Sequence, residues 1–137
     1  MKRIRVHGSE HVQAALSQAR ELGRPVTLVS PVALSVGIGW WRELMGMAAR
    51  QFPDMRFEGV LDCGPSAGLA LAALRTGAGP VMVNVAQDVR EKLADIARQA
   101  GTRVETDGPA VLDLLEVSQP AAACRDWLGA DDAGLDA

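Results

Sequence analysis

Short apolar runs alternate with longer amphipathic stretches along the chain, and the unit repeats. Ile4-Arg5-Val6 reads as a first strand. Glu10 to Leu22 carries Val12, Ala15, Leu16 and Ala19 at helical spacing, which predicts a helix with one apolar face. Gly23 stands where a helix ends in a left-handed residue, and Pro25 discourages continuation. Val26-Thr27-Leu28-Val29 is a near-continuous apolar run of the kind found in buried parallel strands. Trp40 to Phe52 predicts a second helix, with Trp41, Leu44, Met45 and Ala48 inward and Pro53 beyond its end.

The second half continues the pattern. Gly59-Val60-Leu61 leads a third strand into Asp62, and Ala67 to Arg75 predicts a helix apolar almost all round, ended by Gly77 and Gly79. Val81-Met82-Val83 is the fourth strand. Asp88 and Glu91 have capping-box spacing and open a helix that buries Val89, Leu93, Ile96 and Ala97 before Gly101. Arg103 to Thr106 is half charged and reads as a fifth strand at an edge. Pro109, at a first helical position, predicts a last helix through Val111, Leu112, Leu114 and Leu115.

Repeated strand-helix units with short glycine-containing connections call for an α/β fold with about five parallel strands. A three-layer, doubly wound sandwich of flavodoxin-like or Rossmann-like type is the expected architecture, with a half-barrel of βα units as the alternative. Residues 1–117 are read as a single domain and 118–137 as a C-terminal extension, partly flexible, which Trp127 and Leu128 are placed to dock.

Composition narrows the class. The chain has 137 residues, of which 48% are hydrophobic and 23% charged, the balance of one ordinary globular domain. No apolar run is long enough to span a bilayer, and the basic first residues lead into a strand pattern rather than a signal peptide. Cys63 and Cys124 are too few for a disulfide framework, so a cytoplasmic location is expected. A net charge of −3 argues against nucleic acid as the partner. No His/Cys cluster has metal-ligand spacing, and no motif fixes a cofactor.

Ligands of open parallel sheets bind outside the carboxyl ends of the strands. Polar and turn residues gather at those ends: His7 and Ser9, Ser30, Asp62 to Ser66, Asn84 to Asp88, and Asp107. Ser9, Ser66, Asp88 and Asp107 are equally explained as helix N-caps. The small residues of Gly64-Pro65-Ser66-Ala67-Gly68 let backbone N–H groups approach an anion, although close helix packing would also select Gly68. The ligand residues read this way are Ser9, Ser30, Gly64, Ser66, Gly68, Asn84 and Asp88. Cys63, with His7 as base, and Asp62 are the catalytic candidates; a buried, inert Cys63 is the alternative. No acidic pair follows the first strand and no Lys follows the fifth, so the constellation of a phosphoryl-accepting receiver around Asp62 is missing.

The segment from Ser30 to Trp40 alternates Val32, Leu34, Val36, Ile38 and Trp40 with small residues, which predicts an extended strip apolar on one side. Such a strip covers a pocket, the sheet itself or a second subunit. Val36, Ile38, Trp40 and Trp41 are therefore expected at a homo-oligomer interface, with Trp41 in the core as the alternative. Two functions remain open. One is a non-catalytic module that binds a small anion-bearing molecule or assembles; the other is a small enzyme acting through Cys63 or Asp62.

Overall fold

A computed structural model of the chain describes residues 1–32, 36–106 and 108–130. Ala33, Leu34 and Ser35 of the apolar segment, Asp107 among the cap candidates, and the tail from residue 131 lie outside the described residues. The described residues form β1 (Lys2–Arg5), α1 (Ser9–Leu22), β2 (Val26–Val29), α2 (Ile38–Gln51), β3 (Phe57–Asp62) and α3 (Ala67–Arg75). They continue through β4 (Val81–Met82), α4 (Gln87–Gln99), β5 (Val104–Glu105), β6 (Val111–Asp113) and α5 (Pro120–Gly129).

All strand pairs are parallel, in the order β5-β4-β3-β2-β1-β6. Six parallel strands with five helices are consistent with the expected α/β class of flavodoxin-like or Rossmann-like type, one strand richer than the sequence predicts. The order itself is consecutive from β1 to β5, with one reversal that sets β6 beside β1.

That order, together with two distances, curls the sheet as in the half-barrel alternative. Three strands separate β1 from β5. At about 4.8 Å per strand a flat sheet would hold these two about 19 Å apart. Yet Arg3 Nη2 lies 2.7 Å from Glu105 Oε1 and 3.0 Å from Oε2, a gap no Arg–Glu pair closes across 19 Å. The link from Glu105 to Val111 agrees. Its six residue steps reach at most about 21 Å, whereas the edges of a flat six-stranded sheet stand about 24 Å apart.

The two faces of the curled sheet differ in chemistry, because alternate residues point to opposite sides. One face carries Ile4, Val6, Val26, Leu28, Leu61, Cys63, Val81 and Val83, which join buried residues of all five helices in a single core. The concave face carries Arg3, Arg5, Glu58, Asp62, Arg103, Glu105 and Asp113. Its charges are paired side to side: Arg3 with Glu105, Arg5 with Asp62, and Arg103 with Glu58. The Arg103 guanidinium, 2.5 and 2.8 Å from the Glu58 oxygens, holds that carboxyl below its usual range against the opposing effect of burial.

One element corrects the sequence reading, and a second gives form to a segment the sequence left without an element. Val111–Asp113 is β6 and not the start of a helix: Ile4 pairs with Leu112 and Arg5 with Asp113, so Val111 and Asp113 face the concave side while Leu114 is buried. Four apolar residues in five match both helical and strand periods, and the pairing with β1 decides. The second is the C-terminal helix. α5 packs on α1 with Cys124 and Leu128 fully buried, and Trp127 Nε1 donates to the Arg3 carbonyl at 3.0 Å. Arg24 Nη1 closes the same contact on the Leu128 carbonyl at 2.6 Å.

Caps follow the sequence only in part. Gly23 takes the left-handed conformation at φ 64°, and Ser66 Oγ accepts from Leu69 N at 3.1 Å. Ser9 is the first residue of α1 after Gly8, and Asp88 stands in the first turn of α4 after Ala86; neither caps by its side chain. α2 starts at Ile38, two residues before the predicted start, so the alternation through Trp40 is helical rather than extended there. Trp41 is 1% exposed and belongs to the core, Val36 and Ile38 are half-buried, and Trp40 alone of the four is exposed, at 38%.

Candidate functional site

At the carboxyl ends of the strands the curl opens into a cleft of about 510 Å³. Arg5, Asp62, Gly64, Asn84 and Gly108 line its polar and small-residue parts, and Pro65, Met82, Pro109 and Val111 its apolar parts. Asp62, Gly64, Asn84 and Gly108, the last beside Asp107, were legible at strand ends; Arg5 and Val111 were not. Arg5 is the centre of the arrangement. It is the last residue of β1 and projects onto the concave face, where its Nη1 donates to Asp62 Oδ2 at 3.0 Å and to the Ser30 carbonyl at 2.5 Å. Asp113 Oδ2 lies 3.8 Å from its Nε.

The loop after β3 is built around Asp62. Gly64, at φ 56°, turns the chain so that its N–H donates to Asp62 Oδ1 at 2.9 Å. Ser30 is fully buried; its Oγ accepts from Asp62 N at 2.9 Å and donates to the Pro31 carbonyl. Ser30 thus forms the wall that holds Arg5 and Asp62 rather than a ligand contact.

These bonds correct the expected anion loop. The Gly64 N–H is spent on Asp62, and the Ser66 N–H donates to the Cys63 carbonyl at 3.2 Å. Gly68 has no neighbour within 4 Å of where a Cβ would stand, so close packing does not select it either. Ser9 and Asp88 are exposed helix-start residues outside the cleft.

Cys63 follows the buried, inert one of its two readings. It follows Asp62 by one residue and so turns to the opposite face, where it is fully buried in the core. Burial, and secondarily the charge of Asp62, pushes its thiol up to about 12, and burial pushes Cys124 up to about 11. Thiol groups of this kind are inert as nucleophiles. Under native conditions at pH 8 neither cysteine is expected to react with a disulfide reagent within minutes, whereas both react in denaturant. Rapid native labelling of Cys63 would contradict its placement.

His7 stands at the rim, beside β6. Its Nε2 lies 2.7 Å from Asp113 Oδ1, and its backbone N–H donates to His11 Nδ1 at 2.9 Å. Burial raises the Asp113 carboxyl, but the bonds from Leu115 N and His7 outweigh it and leave Asp113 below its usual range. Burial, then the neighbouring His7, lowers His11 from its ordinary value of 6.5, with Glu10 and Asp113 opposing. A folded-state value below the unfolded one means that the unfolded chain takes the proton first. The contribution of His11 to stability is therefore complete above pH 6.5 and declines below it. In His11→Asn, which keeps an acceptor for the His7 N–H, stability measured by urea titration should fall less steeply between pH 6.5 and 5 than in the wild type. Equal slopes would remove His11 as the cause.

Among the described residues no group of His, Cys, Asp and Glu is arranged to hold a metal ion, and no helix is long and apolar enough to cross a membrane. Comparison with protein-family models yields no match, and neither does comparison with curated proteins.

Proposed function

We propose that this chain is a non-catalytic binding module for a small polar molecule, held in the carboxyl-edge cleft over Arg5. The observation that carries this reading is the fixed Arg5–Asp62 pair. Its partners Ser30 and Gly64 hold both groups before any ligand arrives, and such preorganisation is what a binding site needs. Both Arg5 hydrogen bonds use Nη1, so among the described residues the Nη2 edge is uncommitted. A cleft of this size, part polar and part apolar, falls in the range of small-ligand sites. The enzymatic alternative loses its nucleophile with Cys63 in the core, and both Asp62 oxygens already accept hydrogen bonds.

Amide chemical-shift mapping with phosphate, acetate, glycine and inositol as probes tests the reading. At least one probe should move the amides of Arg5, Gly64, Asn84 and Val111 saturably, and Arg5→Gln should abolish the effect. Shifts confined to other surfaces, or none with any probe, would contradict it.

Self-association in the cytoplasm belongs to the same proposal. Trp40, Val32 and Leu115 are exposed large apolar residues, and each follows the carboxyl end of its strand. Sedimentation at micromolar concentration should show an oligomer that Trp40→Ala weakens; a monomer in both proteins would contradict this part.

A further inference from the structure

The class of molecule follows from which hydrogen-bonding groups of the cleft are still open, an inference that rests on the binding reading above. Charge is already balanced there. Arg5 faces Asp62 at 3.0 Å and has Asp113 at 3.8 Å, so one guanidinium meets two carboxylates and no positive field remains for an anion. Hydrogen-bonding capacity is not balanced. Arg3, two residues before Arg5 on the same face of β1, has a side chain only 8% exposed, and its Nη2 takes both oxygens of Glu105. Its Nη1 is buried and has no partner among the described residues. A buried guanidinium nitrogen without an acceptor is costly and rare in folded proteins.

Nη1 lies directly behind the floor of the cleft. A Cβ placed on Gly108 would stand 3.2 Å from Arg3 Nη1 and 3.7 Å from Met82 Sδ, and both Gly108 and Met82 line the cleft.

We propose that the cleft takes a neutral polyhydroxylated small molecule, a sugar or cyclic polyol, with one hydroxyl oxygen accepting from Arg5 Nη2 and another from the buried Arg3 Nη1 as the Gly108 backbone shifts aside. Hydroxyl groups suit the site because each both accepts and donates. The same molecule returns hydrogen bonds to the remaining lone pairs of Asp62, which an anion without a hydroxyl, such as a carboxylate, cannot do. Its C–H faces meet Pro65, Pro109 and Val111.

Titration calorimetry of the full chain with myo-inositol, D-ribose, inorganic phosphate and succinate tests this. Saturable binding of at least one polyol, with phosphate and succinate weaker, is the expected result. Gly108→Ala sets a methyl group against Nη1 without removing a charge, and Arg3→Lys keeps the charge but not the fork; each should raise the polyol Kd about tenfold. Circular dichroism confirms that each variant is folded, and Gly108→Ala carries the test where Arg3→Lys is not. Phosphate or succinate binding more tightly than either polyol overturns the inference and leaves the binding reading standing. Polyol binding indifferent to Gly108→Ala overturns the role of Arg3. Absence of binding by all four probes overturns both the inference and the reading beneath it.

Discussion

Arg3→Ala should lower the unfolding free energy by about 3 kcal/mol, because it strands a carboxylate inside the curl. Glu105 is 20% exposed, and both its oxygens accept from Arg3 Nη2, with Arg103 as a second, longer partner at 3.4 Å. Removing one member of a buried pair costs more than the pair contributes, since the remaining charge has lost both water and partner. In urea the midpoint should fall by about 1–2 M at an ordinary slope for a domain of this size. The paired replacement Arg3→Met with Glu105→Leu should recover most of the loss, because no charge is then left behind. A single-variant loss below about 1 kcal/mol would mean that solvent reaches the concave face freely.

Trp41→Ala should be at least as damaging, at about 3–5 kcal/mol, whereas Trp40→Ala in the monomer should stay within about 0.5 kcal/mol. The adjacent tryptophans differ because the helical turn sends one to the core and the other to the surface. Trp41 fits against the bare backbone of Gly59 on β3: a Cβ there would stand 3.1 Å from the Trp41 ring and 2.6 Å from Met45 Sδ. The ring thus fills the room that glycine leaves, and alanine at 41 would open a cavity between α2 and β3. Gly59→Ala attacks the same contact from the other side and should cost about 1–3 kcal/mol, since Met45 can swing away but the tryptophan ring cannot. Thermal or urea unfolding of the three variants checks the order Trp41→Ala, Gly59→Ala, Trp40→Ala.

What the sequence made legible follows the range of the forces involved. α3, predicted at Ala67 to Arg75, and β2, predicted at Val26 to Val29, fall where local spacing placed them, because their apolar residues recur at one period. β6 was not legible: three residues carry no decisive period, and their partner β1 is over 100 positions earlier. The concave ionic face was hidden for the same reason. Arg3 and Arg5 alternate visibly with Ile4 and Val6, but what they face is Glu105 and Asp62, brought near only by the curl. At the site, the strand-end rule found Asp62, Gly64 and Asn84 and missed Arg5, which ends β1 one residue before the strand end read from Ile4-Arg5-Val6. The rule also placed Cys63 with Asp62, although a step of one residue along a strand separates the cleft from the core.

The curl is the premise of the cleft, of the Arg3 floor and of the proposed ligand, and a double-mutant cycle on Arg3 and Glu105 measures it most directly. Unfolding free energies of the wild type, Arg3→Met, Glu105→Leu and the double variant give the coupling between β1 and β5. With the two side chains in contact at 2.7 Å the coupling should be about 1–3 kcal/mol. Strictly additive effects, with coupling within about 0.3–0.5 kcal/mol of zero, would place the two strands as far apart as a flat sheet holds them and would contradict the account.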